Sequence, residues 1–266
     1  MTSEFDTDTQ VEKTTNGQYK ATISDRWNIM TVPNGGYLMA VMGRALRDHL
    51  SDSSDHCDPL TMTAHFFKPV TPGEAQITTS TIKQGRALSY VDARLIQDDV
   101  ERIRITSAYG NLETREGMNH VTESAPDLPP FDDCVRAKIP LEFFRHVKVA
   151  FTPETGQWLT GEKADDCTLT GWTSFSDGRE PDVLSLLLFA DGFPPPIFRR
   201  IGPVGWVPTV ELTVQIRNKP APGPLRCRFK VRYVTEGYLE EDGEIWDSEG
   251  NIVALARQLA MVRLPE

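Results

Sequence analysis

What these 266 residues lack removes several classes of function. Apolar runs such as Leu186 to Ala190 fall far short of the roughly 20 residues that a membrane-spanning helix needs. The opening stretch, MTSEFDTDTQVEKTTNG, has neither the basic n-region nor the apolar h-region of a secretory signal, so residues 1–18 read as a polar lead-in to a cytoplasmic protein. Cysteine is scarce: Cys57, Cys134, Cys167 and Cys227 are widely spaced with no CxxC, which argues against a zinc knuckle or a redox pair and for reduced, structural thiols. Positive charge is in deficit, 28 Lys and Arg against 38 Asp and Glu, and a net charge of −10 argues against nucleic acid as a partner. The GxSxG elbow of an α/β-hydrolase is absent.

What is present centres on PDVLSLLLFAD, Pro181 to Asp191. Its apolar residues cover every azimuth of a 3.6-residue turn, so this predicts a helix that the rest of the domain surrounds. Pro181 and Asp182 suit a helix start, and Pro194-Pro195-Pro196 forbids continuation. Asp191 then falls at the C-terminal end, the wrong side of the macrodipole for an acid, and an ionised carboxyl beside a core needs a reason.

The chain gives this layout twice. VPNGGYLMAVMGRAL, Val32 to Leu46, opens with an Asn-Gly-Gly turn and continues as another helix with no polar face. Strand-like runs follow near 60–67, 75–83, 88–97 and 102–111, and a Pro- and acid-rich stretch from about Glu113 to Pro130 interrupts them. The second half carries strand-like runs on both sides of its helix. Lys68-Pro69 and Lys219-Pro220 stand about 150 residues apart, as the two helices nearly do, and a duplicated unit is the simplest account. Each copy is an apolar helix followed by an antiparallel meander, an α+β architecture.

Carried by NGGYLMAVMGRAL, HFFKPVTPGE, GRALSYVDARLIQDD, LLLFADGF, PTVELTVQIRNKP and VALARQLAMV, the chain from roughly Tyr19 to Arg263 resembles the double hotdog acyl-CoA thioesterases, the thioesterase II type in particular. The resemblance implies two long antiparallel sheets, each wrapped round a central apolar helix. Residues 19–112 would form the N-terminal hotdog, 113–138 a linker and 139–266 the C-terminal hotdog. It implies hydrolysis of an acyl-CoA thioester without metal or organic cofactor, with the acyl chain in an apolar tunnel beside the helices. Exposed sheet edges and family habit favour a homodimer. In the family an Asp ends the second hotdog helix, a Thr lies on the next strand and a Gln on the last. Asp191, Thr209 and Gln258 match them in that order.

Local patterning agrees with those positions. Ile252, Ala254, Ala256, Gln258 and Ala260 share one strand face, so Gln258 is the one hydrogen-bonding side chain in a row of small residues. Strict alternation puts Thr209, Glu211, Thr213 and Gln215 together on a polar face, which leaves Thr213 as an alternative to Thr209. Asp191 would be base or water-orienting group, Thr209 and Gln258 would hold the water, and the backbone N–H groups of Gly35 and Gly36 would meet the substrate's carbonyl oxygen. Arg199, Arg200, Arg217 and Lys219 are candidates for coenzyme A phosphates, with ordinary solvated charge as the plainer reading. The hotdog hydratases place His five residues after Asp, and none of the five histidines has an Asp at that position. The alternative function is a catalytically silent hotdog that binds acyl-CoA or serves as an assembly scaffold.

Overall fold

The computed structural model describes residues 2–203 and 206–264. Alternating apolar positions build long strands, and 14 of them join in one antiparallel sheet. The first half supplies β1 (Val11–Thr15), β2 (Gln18–Ile23), β3 (Asp58–Phe66), β4 (Gly73–Gln84), β5 (Ser89–Gln97) and β6 (Val100–Gly110). The second supplies β7 (Val135–Arg136), β8 (Val147–Phe151), β9 (Cys167–Phe175), β10 (Thr209–Ile216), β11 (Leu225–Val231), β12 (Tyr238–Trp246) and β13 (Ile252–Met261). Across the sheet the order is β1-β2-β4-β5-β6-β3-β10-β13-β12-β11-β9-β8-β7, and the short strand Val234–Thr235 pairs with β12. Residues 112–130, between the halves, carry no helix or strand.

The strand order reads alike outward from the β3–β10 seam. At that seam Thr63 faces Thr213, and their hydroxyls lie 2.8 Å apart. Two separate sheets were the expectation; instead β3 and β10 pair from His65↔Glu211 to Thr61↔Gln215 and make one. The physical reason is that each would otherwise present a long row of unpaired N–H and C=O groups.

Helix α2 (Gly35–Ser51) begins where Asn34 caps it, the Asn34 side chain accepting from the Tyr37 N–H at 2.9 Å. Residues 36 to 43 are buried on every azimuth, packed on β4 and β5 and against α3 (Ser185–Phe189). The second helix is thus shorter than the expected Pro181–Asp191. Reciprocal bonds between Asp182 and Ser185 fix its approach, and Asp191 N–H bonds back three residues to Leu188, so tighter turns replace α-helix at both ends. Gly36 is dictated by the helix contact: a Cβ there would lie 2.3 Å from the Leu187 carbonyl oxygen.

The lead-in also departs from expectation. Glu4–Asp8 forms a helix, α1, capped by Ser3, and Val11–Thr15 is β1 of the sheet. Phe5 is fully buried, its ring 5.8 Å from Trp27 and 5.1 Å from Phe175. Arg179 lies 4.9 Å over the Phe5 ring and holds Asp6 with two bonds, so a polar-looking segment is anchored by one aromatic and one acid.

Candidate functional site

Antiparallel packing of α2 and α3 brings the end of one helix to the start of the other. Asp191, just past α3, points at the N-terminus of α2: its Oδ2 accepts from the Gly36 N–H at 3.0 Å and from Asn34 Nδ2 at 2.8 Å, and Asn34 Nδ2 also donates to the Asp191 carbonyl at 2.7 Å. This supplies the reason the acid needed. It is on the wrong side of its own helix dipole and the favourable side of its neighbour's. Burial pushes the Asp191 carboxyl up to about 6, against the opposing pull of Gly36, Gly35 and Asn34. Gly35 lies between Asp191 and the β3 residue Phe66: a Cβ there would meet Phe66 at 2.9 Å and Asp191 Oδ2 at 3.1 Å.

The N–H groups expected to meet a substrate oxygen, those of Gly35 and Gly36, have a partner within the protein. Their N–H groups serve the Asp191 carboxyl, while the next two of the helix, on Tyr37 and Leu38, are satisfied by Asn34. The dipole acts on the nearest anionic oxygen, and in this structure that oxygen is the protein's own.

Gln258 and Thr209 are brought together directly, with Gln258 Nε2 donating to Thr209 Oγ1 at 2.5 Å. A β-bulge makes this contact. Thr209 pairs with Ala260 and Glu211 with Leu259, so Val210 is the extra residue and alternation breaks between Thr209 and Glu211. Thr209 is thereby turned to the face of Gln258 and Ala260. Thr213 stays with Glu211 on the opposite face, its hydroxyl against Thr63 Oγ1. Thr209 and Thr213 do not share a face, which corrects the strict-alternation reading and removes Thr213 as an alternative.

No direct hydrogen bond joins Asp191 to the Gln258–Thr209 pair among the described residues. Glu241 links them in space. It is the β12 register partner of Gln258, both residues are 8% exposed, and the Asp191 charge acts on its carboxyl. Asn34 and Glu241 are the two residues sequence reasoning missed. Glu241 had a legible signal: Leu239, Glu241, Gly243 and Ile245 share a strand face, so an acid stands in an otherwise apolar or small row. Asn34 was read only as part of a turn and helix start, which its N-cap position bears out.

Two cavities lie elsewhere, about 180 Å³ beside Phe175, Arg179 and Phe189, and about 390 Å³ beside Lys13, His49 and Gln84; neither is bordered by Asp191, Thr209 or Gln258. Arg199 is buried, not solvated, and holds Asp166 and the Thr168 carbonyl; Lys219 pairs with Glu113. All four cysteines are free thiols. Among the described residues, no three or more His, Cys, Asp or Glu are grouped to hold a metal ion, and no helix is long and apolar enough to cross a membrane.

Residues 23–111 match the family profile of the acyl-CoA thioesterase N-terminal domain, and residues 122–262 that of the acyl-CoA thioesterase C-terminal domain. A solved structure of a candidate thioesterase II from Thermobifida fusca is 31% identical, with a TM-score of 0.89 over 97% of each chain. A hot dog fold protein of unknown function from Alicyclobacillus acidocaldarius superposes over the whole of both chains with a TM-score of 0.90 at 23% identity, a likeness of fold. Among curated proteins, a thioesterase-like protein of Talaromyces wortmannii is 24% identical over 97% of this chain and 91% of its own, and an uncharacterised protein of Mycobacterium tuberculosis is 27% identical over 92% and 90%.

Proposed function

We propose that this chain, which belongs to the acyl-CoA thioesterase family of the hotdog superfamily, is a double hotdog enzyme that hydrolyses acyl-CoA thioesters through a water activated by Asp191. The observation that carries the reading is the buried Asp191 carboxyl, poised near 6 at the N-terminus of α2. Such a group is ionised at neutral pH and is basic enough to take a proton from water.

Water attacks the thioester carbonyl carbon while Asp191 accepts its proton. Negative charge thereby moves from the Asp191 oxygen to the carbonyl oxygen. The α2 N-terminus favours whichever of the two neighbouring oxygens carries that charge, so Gly35 and Gly36 N–H groups released by protonated Asp191 turn to the oxyanion. When the C–S bond breaks, the thiolate takes the proton back from Asp191, giving a free acid and a thiol. Thr209 and Gln258 hold the attacking water, the Thr209 hydroxyl accepting from the Gln258 amide and directing its own proton donor or remaining lone pair at it.

The test is release of free thiol from a panel of acyl-CoAs by wild type, Asp191→Asn and Gln258→Ala. Turnover that both substitutions cut supports this reading. Turnover that neither changes moves the site elsewhere, and tight acyl-CoA binding without turnover on any substrate replaces the enzyme with a silent binder.

A further inference from the structure

Glu241 belongs to no part of the chemistry above, yet it stands where it bears on that chemistry. Strand β12 alternates, so Leu239, Glu241, Gly243 and Ile245 face the protein's interior, and Glu241 is 8% exposed among them. Its β13 register partner is Gln258, and directly paired side chains have Cβ atoms about 4.5–5.5 Å apart. The charged groups acting on its carboxyl are all acids: Asp191 from the end of α3, and Glu240 and Asp242 from its own strand. Asp242 is already matched by Arg232 and Arg257, and Glu240 by Arg232. Among the described residues no cation pairs with Glu241.

An ionised carboxylate in that position is strongly disfavoured, whereas a protonated one is a hydrogen-bond donor. Its neighbour can accept from one. Gln258 spends Nε2 on Thr209, and its Oε1 accepts from no other described residue. An amide whose oxygen is unclaimed can turn over and present Oε1 to the Thr209 hydroxyl instead, which reverses the polarity of the pair.

We propose that Glu241 is a positioning residue of this site: its carboxyl O–H donates to Gln258 Oε1 and so fixes the amide with Nε2 on Thr209. Burial, the Asp191 charge and the two flanking acids all push the Glu241 carboxyl well above the usual carboxylate range, which favours the protonated donor. Asp191 and Glu241 then form a pair of acids with separated titrations, the first ionised and the second not. The inference rests on the thioesterase reading for its kinetic consequence and on the register and burial of Glu241 and Gln258 for the bond.

Two measurements separate those parts. In infrared difference spectra of wild type against Glu241→Gln at pH 7, a protonated-carboxyl stretch assigned to Glu241 is the expected result. Its absence overturns the proposal whether or not the protein turns over any substrate, and its presence on a protein with no turnover sinks only the hydrolase reading. In thiol-release kinetics, Glu241→Leu should lose at least about tenfold in kcat with KM changed less than about threefold. Glu241→Gln, whose amide can also donate, should recover to within about threefold of wild type. The alkaline fall in wild-type kcat, caused by ionisation of Glu241, should be absent from Glu241→Gln. Loss in Glu241→Gln as deep as in Glu241→Leu, or an alkaline limb unchanged between wild type and Glu241→Gln, refutes the assignment.

Discussion

Replacing Asp191 by Asn should make the protein slower and, above pH 6, more stable. Asparagine keeps an acceptor for the Gly36 N–H and Asn34 Nδ2, so the helix junction retains its bonds, but it cannot take a proton. Loss of a general base typically costs 10²–10⁴ in rate, about 2.7–5.4 kcal/mol of transition-state stabilisation. The stability term has the opposite sign. Asp191 moves from an ordinary 3.8 to about 6 on folding, so between those values the folded state binds more protons than the unfolded one and stability falls as pH rises. A shift of about two units at 1.36 kcal/mol each makes the ionised carboxyl about 3 kcal/mol costly above pH 6, and the cost disappears below about pH 3.8. Urea unfolding of wild type and Asp191→Asn from pH 4 to 8 should therefore show a stability difference that grows in favour of the mutant through that window. Wild-type kcat/KM should rise with pH through about 6 over the same range. A stability difference that does not vary with pH, or a mutant within tenfold of wild-type turnover, refutes the reasoning.

Thr209→Ala should lower turnover at least tenfold, while Thr213→Ala, on the other sheet face, should leave turnover intact and cost about 1 kcal/mol in denaturant unfolding through its bond to Thr63. Gly36→Ala should destabilise by about 3 kcal/mol or more, since its methyl would overlap the Leu187 carbonyl; a thermal melt unchanged from wild type would mean the helices are not packed this closely. Phe5→Ala should cost about 3–5 kcal/mol by emptying a site among Trp27, Phe175 and Arg179, read as a lower urea midpoint.

The sequence was most legible where one periodicity ran unbroken. The apolar helix starting at Gly35 and the row of small residues around Gln258 could each be read by counting. Thr209 could not, because a single extra residue at Val210 inverts the faces of a strand and no residue type there announces it. Phe5 was hidden in acidic company, and one buried ring anchors a segment that composition alone calls polar. The partner of Asp191 was illegible for a different reason. Its stabilising field belongs to a helix 155 residues earlier, and a dipole that reaches across the fold leaves no mark in local sequence. Glu241 was legible and overlooked: an acid on the inward face of β12 breaks an apolar pattern as plainly as Gln258 breaks that of β13.

The carboxyl of Asp191 comes from the second half of the chain, and the amides of Asn34 and Gly36 that receive it come from the first. Neither half of the chain alone holds the whole junction, and either would have to borrow the missing portion from a second molecule. Because the acid and the amides that receive it lie in one polypeptide, they meet one to one whatever the protein concentration.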